Sequence, residues 1–116
     1  MSIAPASVLK CLADDTRLRT LLLIQTEGEL CVCEIAAALD LSQPKISRHL
    51  GQLRNCGMLK DTRKGQWVYY QLHQRLSGWV SEVLAATASA NPEPLQADRQ
   101  RLARMGERPE RQAACC

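Results

Sequence analysis

The stretch Ser42-Gln43-Pro44-Lys45-Ile46-Ser47-Arg48-His49-Leu50 constrains the fold more than any other part of the chain. Ser42 is a good N-cap, and Pro44 is tolerated in a first helical turn because its missing N–H would have had no intrahelical partner. Ile46, Leu50 and Leu53 recur at i, i+4 and i+7 as a buried stripe, while Lys45, Ser47, Arg48 and Gln52 point away. The spacing therefore predicts a helix with one apolar face and one polar, basic face, closed at Asn55-Cys56-Gly57. Met58 to Thr62 and Gln66 to Leu72 then read as two short strands around Arg63-Lys64-Gly65. In that hairpin Val68, Tyr70 and Leu72 alternate onto the face that packs on helices, and the turn carries a cationic tip.

Three helices precede this unit. Ala6 to Leu12 is apolar and helix-permissive, and Asp14-Asp15-Thr16 offers caps before Leu18, Leu21, Leu22 and Ile24 at helical spacing. Gly28 stops the second helix, and a third runs from about Cys33 to Leu39. After the hairpin, Leu76 to Ala90 predicts a fifth helix whose apolar side is Leu76, Trp79, Val80, Val83 and Leu84. Pro92 and Pro94 break it; Leu95 to Met105 has room for one short helix, and Gly106 to Ala114 reads as a mobile end. This order predicts a mainly α fold with a small β-hairpin, a winged helix-turn-helix, with a folded domain over 1–91 and a C-terminal tail over 92–116. The alternative is a generic α+β domain.

Charge separates the two. Residues 1–41 carry three basic and six acidic side chains, residues 42–76 carry seven basic and only Asp61, and residues 77–116 carry five of each. A basic central third points to a polyanion such as double-stranded DNA. On the polar helix the candidate contacts are Ser42, Gln43, Lys45, Ser47, Arg48 and His49: Gln43 suits adenine, Lys45 or Arg48 guanine or phosphate, and the serines phosphate. His49 lies beside the buried stripe, so packing is an equal alternative. Arg63 and Lys64 at the wing tip reach phosphate or the minor groove, or are solvated turn residues. Trp67 and Tyr69 read as packing residues of the hairpin.

The longest apolar run, Leu21 to Ile24, falls far short of the roughly 20 residues that span a bilayer, and no leader precedes it, so a cytoplasmic protein without a membrane partner is expected. Six cysteines in such a chain suggest metal or redox roles rather than a disulfide framework. Cys31 and Cys33 can chelate one soft ion. On a regular helix residues i and i+2 point about 200° apart, so chelation is expected to distort the entry to the third helix. The alternative is that both are small buried hydrophobes. Cys11 reads as a core residue, and Cys56 as a turn residue with no evident partner. A thiol redox enzyme finds little support, because no acid/base partner stands beside a cysteine pair and no βαβ pattern is present.

Glu29-Leu30-Cys31-Val32-Cys33-Glu34, followed by Ser42 to Leu50, resembles the ArsR-type bacterial repressors of the ArsR/SmtB family. The likeness extends from Leu12-Ala13-Asp14-Asp15-Thr16-Arg17 through Gly65-Gln66-Trp67-Val68-Tyr69-Tyr70, and covers roughly residues 8–90. It implies a homodimer formed through the first and fifth helices, operator binding without inducer, and release when arsenite or antimonite binds cysteine thiolates. Related repressors carry a third cysteine four residues after the second, where this chain has Ala37. Cys115 and Cys116 are candidates for the missing donor, reaching back on a flexible linker from Asn91; a separate vicinal pair and an inert end are the alternatives. The N-terminal cysteines of the cadmium and lead sensors and the zinc-type site of the fifth helix have no counterparts here. A redox-sensing or a cadmium- or zinc-sensing repressor of the same fold is the alternative function.

Overall fold

A computed structural model describes residues 4–111. The elements run α1 (Pro5–Leu12), α2 (Asp15–Glu27), β1 (Glu29–Cys31), α3 (Val32–Leu39), α4 (Gln43–Asn55), β2 (Leu59–Lys64), β3 (Trp67–Leu72), α5 (Gly78–Ala90) and α6 (Pro92–Ala103). Asp14 caps α2 by accepting from the Arg17 N–H at 3.0 Å, and Ser42 caps α4 by accepting from the Lys45 N–H at 3.4 Å. Between α3 and α4 the chain turns through Asp40, whose φ of 57° places it in the left-handed region that an aspartate tolerates better than most residues. Leu21, Leu23, Ile24, Leu30, Ile35, Ile46, Leu50, Leu53 and Leu84 are fully buried, so the stripe of α4 sits in the common core as its spacing predicts.

The sheet is larger than the hairpin. Its order is β1-β3-β2, both pairs antiparallel, with Cys31 opposite Tyr69. A three-residue strand is too short for alternation to register in a sequence, which is why β1 escapes the pattern reading. The hairpin turn also differs from expectation: Lys64 pairs with Trp67, leaving only Gly65 and Gln66 between the strands, with Gly65 at φ 65° as two-residue turns require. Arg63 and Lys64 thus end β2 and alternate to opposite faces. Tyr70 and Leu72 do pack against the main core, but Tyr69 on the other face is the buried one, set against Cys31, Cys33 and Trp67.

Two further corrections concern the ends. Cys11 is buried as expected, yet it is joined by a disulfide to Cys56, for which no partner was apparent in the sequence. Helix α6 begins at Pro92, where prolines were expected only to break α5; Pro is compatible with a first turn, and Asn91 alone separates the two helices. Nor is this segment a flexible linker, because α6 packs on α3 and α2 and buries Leu102. Asp98, 1% exposed, accepts from Arg19 at 2.7 and 3.1 Å and from Arg101 at 2.6 Å, while Arg101 Nε donates to the Ala38 carbonyl at 2.6 Å. Asp98→Ala should cost about 1.5–3 kcal/mol, the range for hydrogen bonds to charged groups, since both arginines keep some access to water. Urea unfolding checks this; an unchanged midpoint would show that α6 adds nothing to the fold.

No helix among the described residues is long and apolar enough to cross a membrane. Among the described residues, Leu9 on α1 and Trp79 at the start of α5 are the large hydrophobics left exposed, at 49% and 38%.

Candidate thiol centre and nucleic-acid interface

Cys31 is the last residue of β1 and the N-cap of α3, with extended backbone (φ −88°, ψ 167°), and Cys33 lies in the first turn of the helix. The change from strand to helix between them rotates the two side chains toward each other. Their sulfurs stand 3.4 Å apart, and both residues are 2% exposed. The helical i, i+2 geometry expected of the pair does not hold, because Cys31 is outside the helix. Cys33 takes part in a disulfide here, so a soft ion with metal–sulfur bonds of about 2.3 Å can bridge the pair only once that bond is reduced.

Glu34, wholly buried, organises the surroundings. Its Oε1 accepts from the Cys31 N–H at 2.9 Å, closing the N-terminus of α3. Arg108 grips both carboxylate oxygens, at 2.7 and 3.0 Å, and Arg111 Nε lies 2.6 Å away as an ion pair without hydrogen-bond alignment. Burial pushes the Glu34 carboxyl up, but the Arg108 hydrogen bonds, the Cys31 N–H and the charges of Arg108 and Arg111 together hold it below its ordinary value. Its stabilisation is thus present above the unfolded carboxyl range and lost as pH falls through the lowered value. Arg108 also donates to the Glu29 carbonyl at 2.9 Å and stacks 4.9 Å from the Tyr69 ring centre. Residues 108–111 therefore clasp the entry of α3 rather than trail from the fold. The sequence carried one hint of this, an acidic residue inside the apolar run Val32 to Leu39, which burial obliges to find a cation.

Ala37, where relatives are expected to place a third thiol, is exposed on α3. Among the described residues no group of three His, Cys, Asp or Glu side chains is placed to hold an ion. Cys115 and Cys116 lie outside the described residues.

The DNA candidates divide by face. Ser42, Gln43, Ser47 and Arg48 are exposed, Lys45 is half-buried, and none of the ion pairs among the described residues involves Lys45, Arg48 or Arg63. His49 is buried, its Nδ1 3.8 Å from Asp14 Oδ2, which places it on the packing side of α4. Arg63 is exposed at the wing, whereas Lys64 turns back to Glu29 at 2.8 Å and to the Tyr69 ring at 5.2 Å. The projecting cationic tip is therefore Arg63 alone, and Lys64 ties the wing to β1 beside the thiols.

Residues 14–61 match the family described as bacterial regulatory protein, arsR family. The arsenic resistance transcriptional regulator ArsR1 of Pseudomonas putida is 60% identical over 113 residues, covering 97% of this chain and 88% of that protein. Among solved structures, the AntR antimony-specific transcriptional repressor is 30% identical with a TM-score of 0.65, covering 78% of this chain and 79% of its own. The homodimeric winged helix-turn-helix DNA-binding domain Mb0332 of Mycobacterium bovis is 30% identical with a TM-score of 0.60, covering 76% of this chain and 78% of its own.

Proposed function

Since the chain belongs to the ArsR family of bacterial regulatory proteins, we propose that it is a cytoplasmic repressor that binds double-stranded operator DNA as a homodimer and is released by arsenite or antimonite. The observation that carries the inducer half is the buried sulfur pair, 3.4 Å apart at the entry to α3. Thiolates select soft ions over those that prefer carboxylate or imidazole, and Cys31 and Cys33 are the residues that hold the metalloid. Cys115 or Cys116 supplies a third sulfur, since Arg111, four residues before Cys115, is seated on Glu34.

The DNA half rests on the exposed start of α4, where Ser42, Gln43, Lys45, Ser47 and Arg48 enter the major groove, with Arg63 on the flanking backbone. His49 supports the helix from behind. Exposed Leu9 and Trp79 lie on α1 and α5, the helices that the family resemblance assigns to the dimer, and burying them there removes apolar surface from water. The regulatory route is short: α3 carries Cys33 and Glu34 at one end and joins α4 through a three-residue turn at the other.

Arg48→Ala should weaken operator binding by about 1–3 kcal/mol, and Arg63→Ala should lower the salt slope of log affinity by about 0.9, the amount expected when one phosphate is no longer neutralised. Lys64→Ala should change the slope less, because its charge is already paired. Gel shifts at several salt concentrations decide it; unchanged affinity for Arg48→Ala would remove α4 from the groove. Titration of the complex with arsenite, antimonite, zinc, cadmium and peroxide tests the inducer, and release by zinc or peroxide but not by arsenite would overturn the reading.

A further inference from the structure

Cys11, at the end of α1, and Cys56, the C-cap of the recognition helix α4, are bridged across 45 residues, with Cα atoms 6.7 Å apart. The same spot is cross-tied by Arg17, which donates to the Cys11 carbonyl at 2.8 Å, the Lys10 carbonyl at 3.3 Å and the Gln52 side chain at 3.2 Å. An open groove of about 340 Å³ runs over the bridge between Lys10, Arg17 and Gln52, so small thiols and oxidants reach the sulfurs. Lys10 and Arg17 line the same groove and make it cationic. Disulfides in a reducing cytosol are as a rule transient and regulatory rather than structural.

We propose that Cys11 and Cys56 form a reversible disulfide, a second thiol input to DNA binding that is chemically separate from Cys31 and Cys33. Oxidation takes two electrons and two protons from the thiol pair, reducing a hydroperoxide to alcohol and water or glutathione disulfide to two glutathiones; two small thiols reverse it and leave as their own disulfide. The consequence for affinity rests on the DNA-binding reading above. In a dimer held through α1 and α5, tying the end of α4 to α1 fixes the separation of the two recognition helices, on which the match to two half-sites depends. The oxidised form is the pre-organised one and binds operator more tightly, by about 3–10-fold, because less freedom is lost on binding.

The test equilibrates the full chain in glutathione buffers from reducing to oxidising, without arsenite, and follows the Cys11–Cys56 peptide by mass mapping and operator affinity by gel shift. Affinity of the unaltered protein should rise in step with the bridged peptide, while Cys56→Ser and Cys11→Ala should stay flat. Absence of the bridged peptide in every buffer, affinity that stays level or falls as it forms, or an unchanged response in both variants would overturn the proposal. Whether the fully reduced protein shifts operator at all judges the DNA-binding reading separately.

Discussion

Cys31→Ser is expected to yield a repressor that holds its operator and ignores arsenite, with the concentration for release raised by at least about 100-fold, beyond what loss of a supporting outer-shell residue costs. The fold should tolerate the change because Cys31 is the N-cap of α3, a position where serine is among the favoured residues and its hydroxyl can accept from the first turn. Glu34 still accepts from the residue 31 N–H, so the clasp on Arg108 remains. Cys33→Ser should behave alike toward arsenite, at a larger stability cost, since its hydroxyl enters a site only 2% exposed beside Tyr69. Gel shifts with and without arsenite, together with calorimetric titration of the free protein, make the measurement. Normal release of either variant would place the inducer site elsewhere.

The preassembled pair changes how release is explained. A ligand shifts an equilibrium only by its differential affinity for the two states, and two sulfurs already side by side offer little difference between them. On the proposed reading, the discriminating contact is the third bond. A donor drawn in toward Cys31 and Cys33 must be accommodated next to Glu34, Tyr69 and Arg108, which together hold β1, the wing and the start of α3. Displacing that clasp is expected to alter how α3 presents α4, which would carry the energy of the third bond to the operator.

The helix at 43–55 was readable because cap, proline and apolar period agree locally, and the same holds for α2 behind Asp14. What escaped was fixed by distant partners. Lys64 finds Glu29 across 35 residues, Arg108 finds Glu34 across 74, and Cys11 finds Cys56 across 45; none of these leaves a local signature. Cys31 escaped for a different reason: a three-residue strand ends on it, so helical spacing does not govern where its side chain points. His49 shows the limit from the other side, where its place next to the stripe allowed both roles and packing against α2 took it inward.

Removal of residues 112–116 is expected to leave operator affinity and dimerisation intact while weakening arsenite binding by roughly 100-fold, the scale at which a tethered second contact adds to a first. The place of the cut matters. Ending the chain at Asn91 would remove α6 with buried Leu102 and Asp98 and confound the result with lost stability, whereas ending it at Arg111 keeps α6 and the clasp on Glu34. Cys115 follows Arg111 by four residues, which reach at most about 14 Å when extended, so a donor supplied from there would act at an effective concentration of millimolar or above. Millimolar small thiol should accordingly restore part of the lost affinity. Cys115→Ser combined with Cys116→Ser should reproduce the truncation, and Arg108→Ala should give a smaller loss, because it loosens the tether and removes no sulfur. X-ray absorption should count three sulfur neighbours around arsenic in the full chain and fewer in the shortened one. Equal affinity and equal sulfur count in both forms would rule the tail out and assign the third position to solvent or a small cellular thiol.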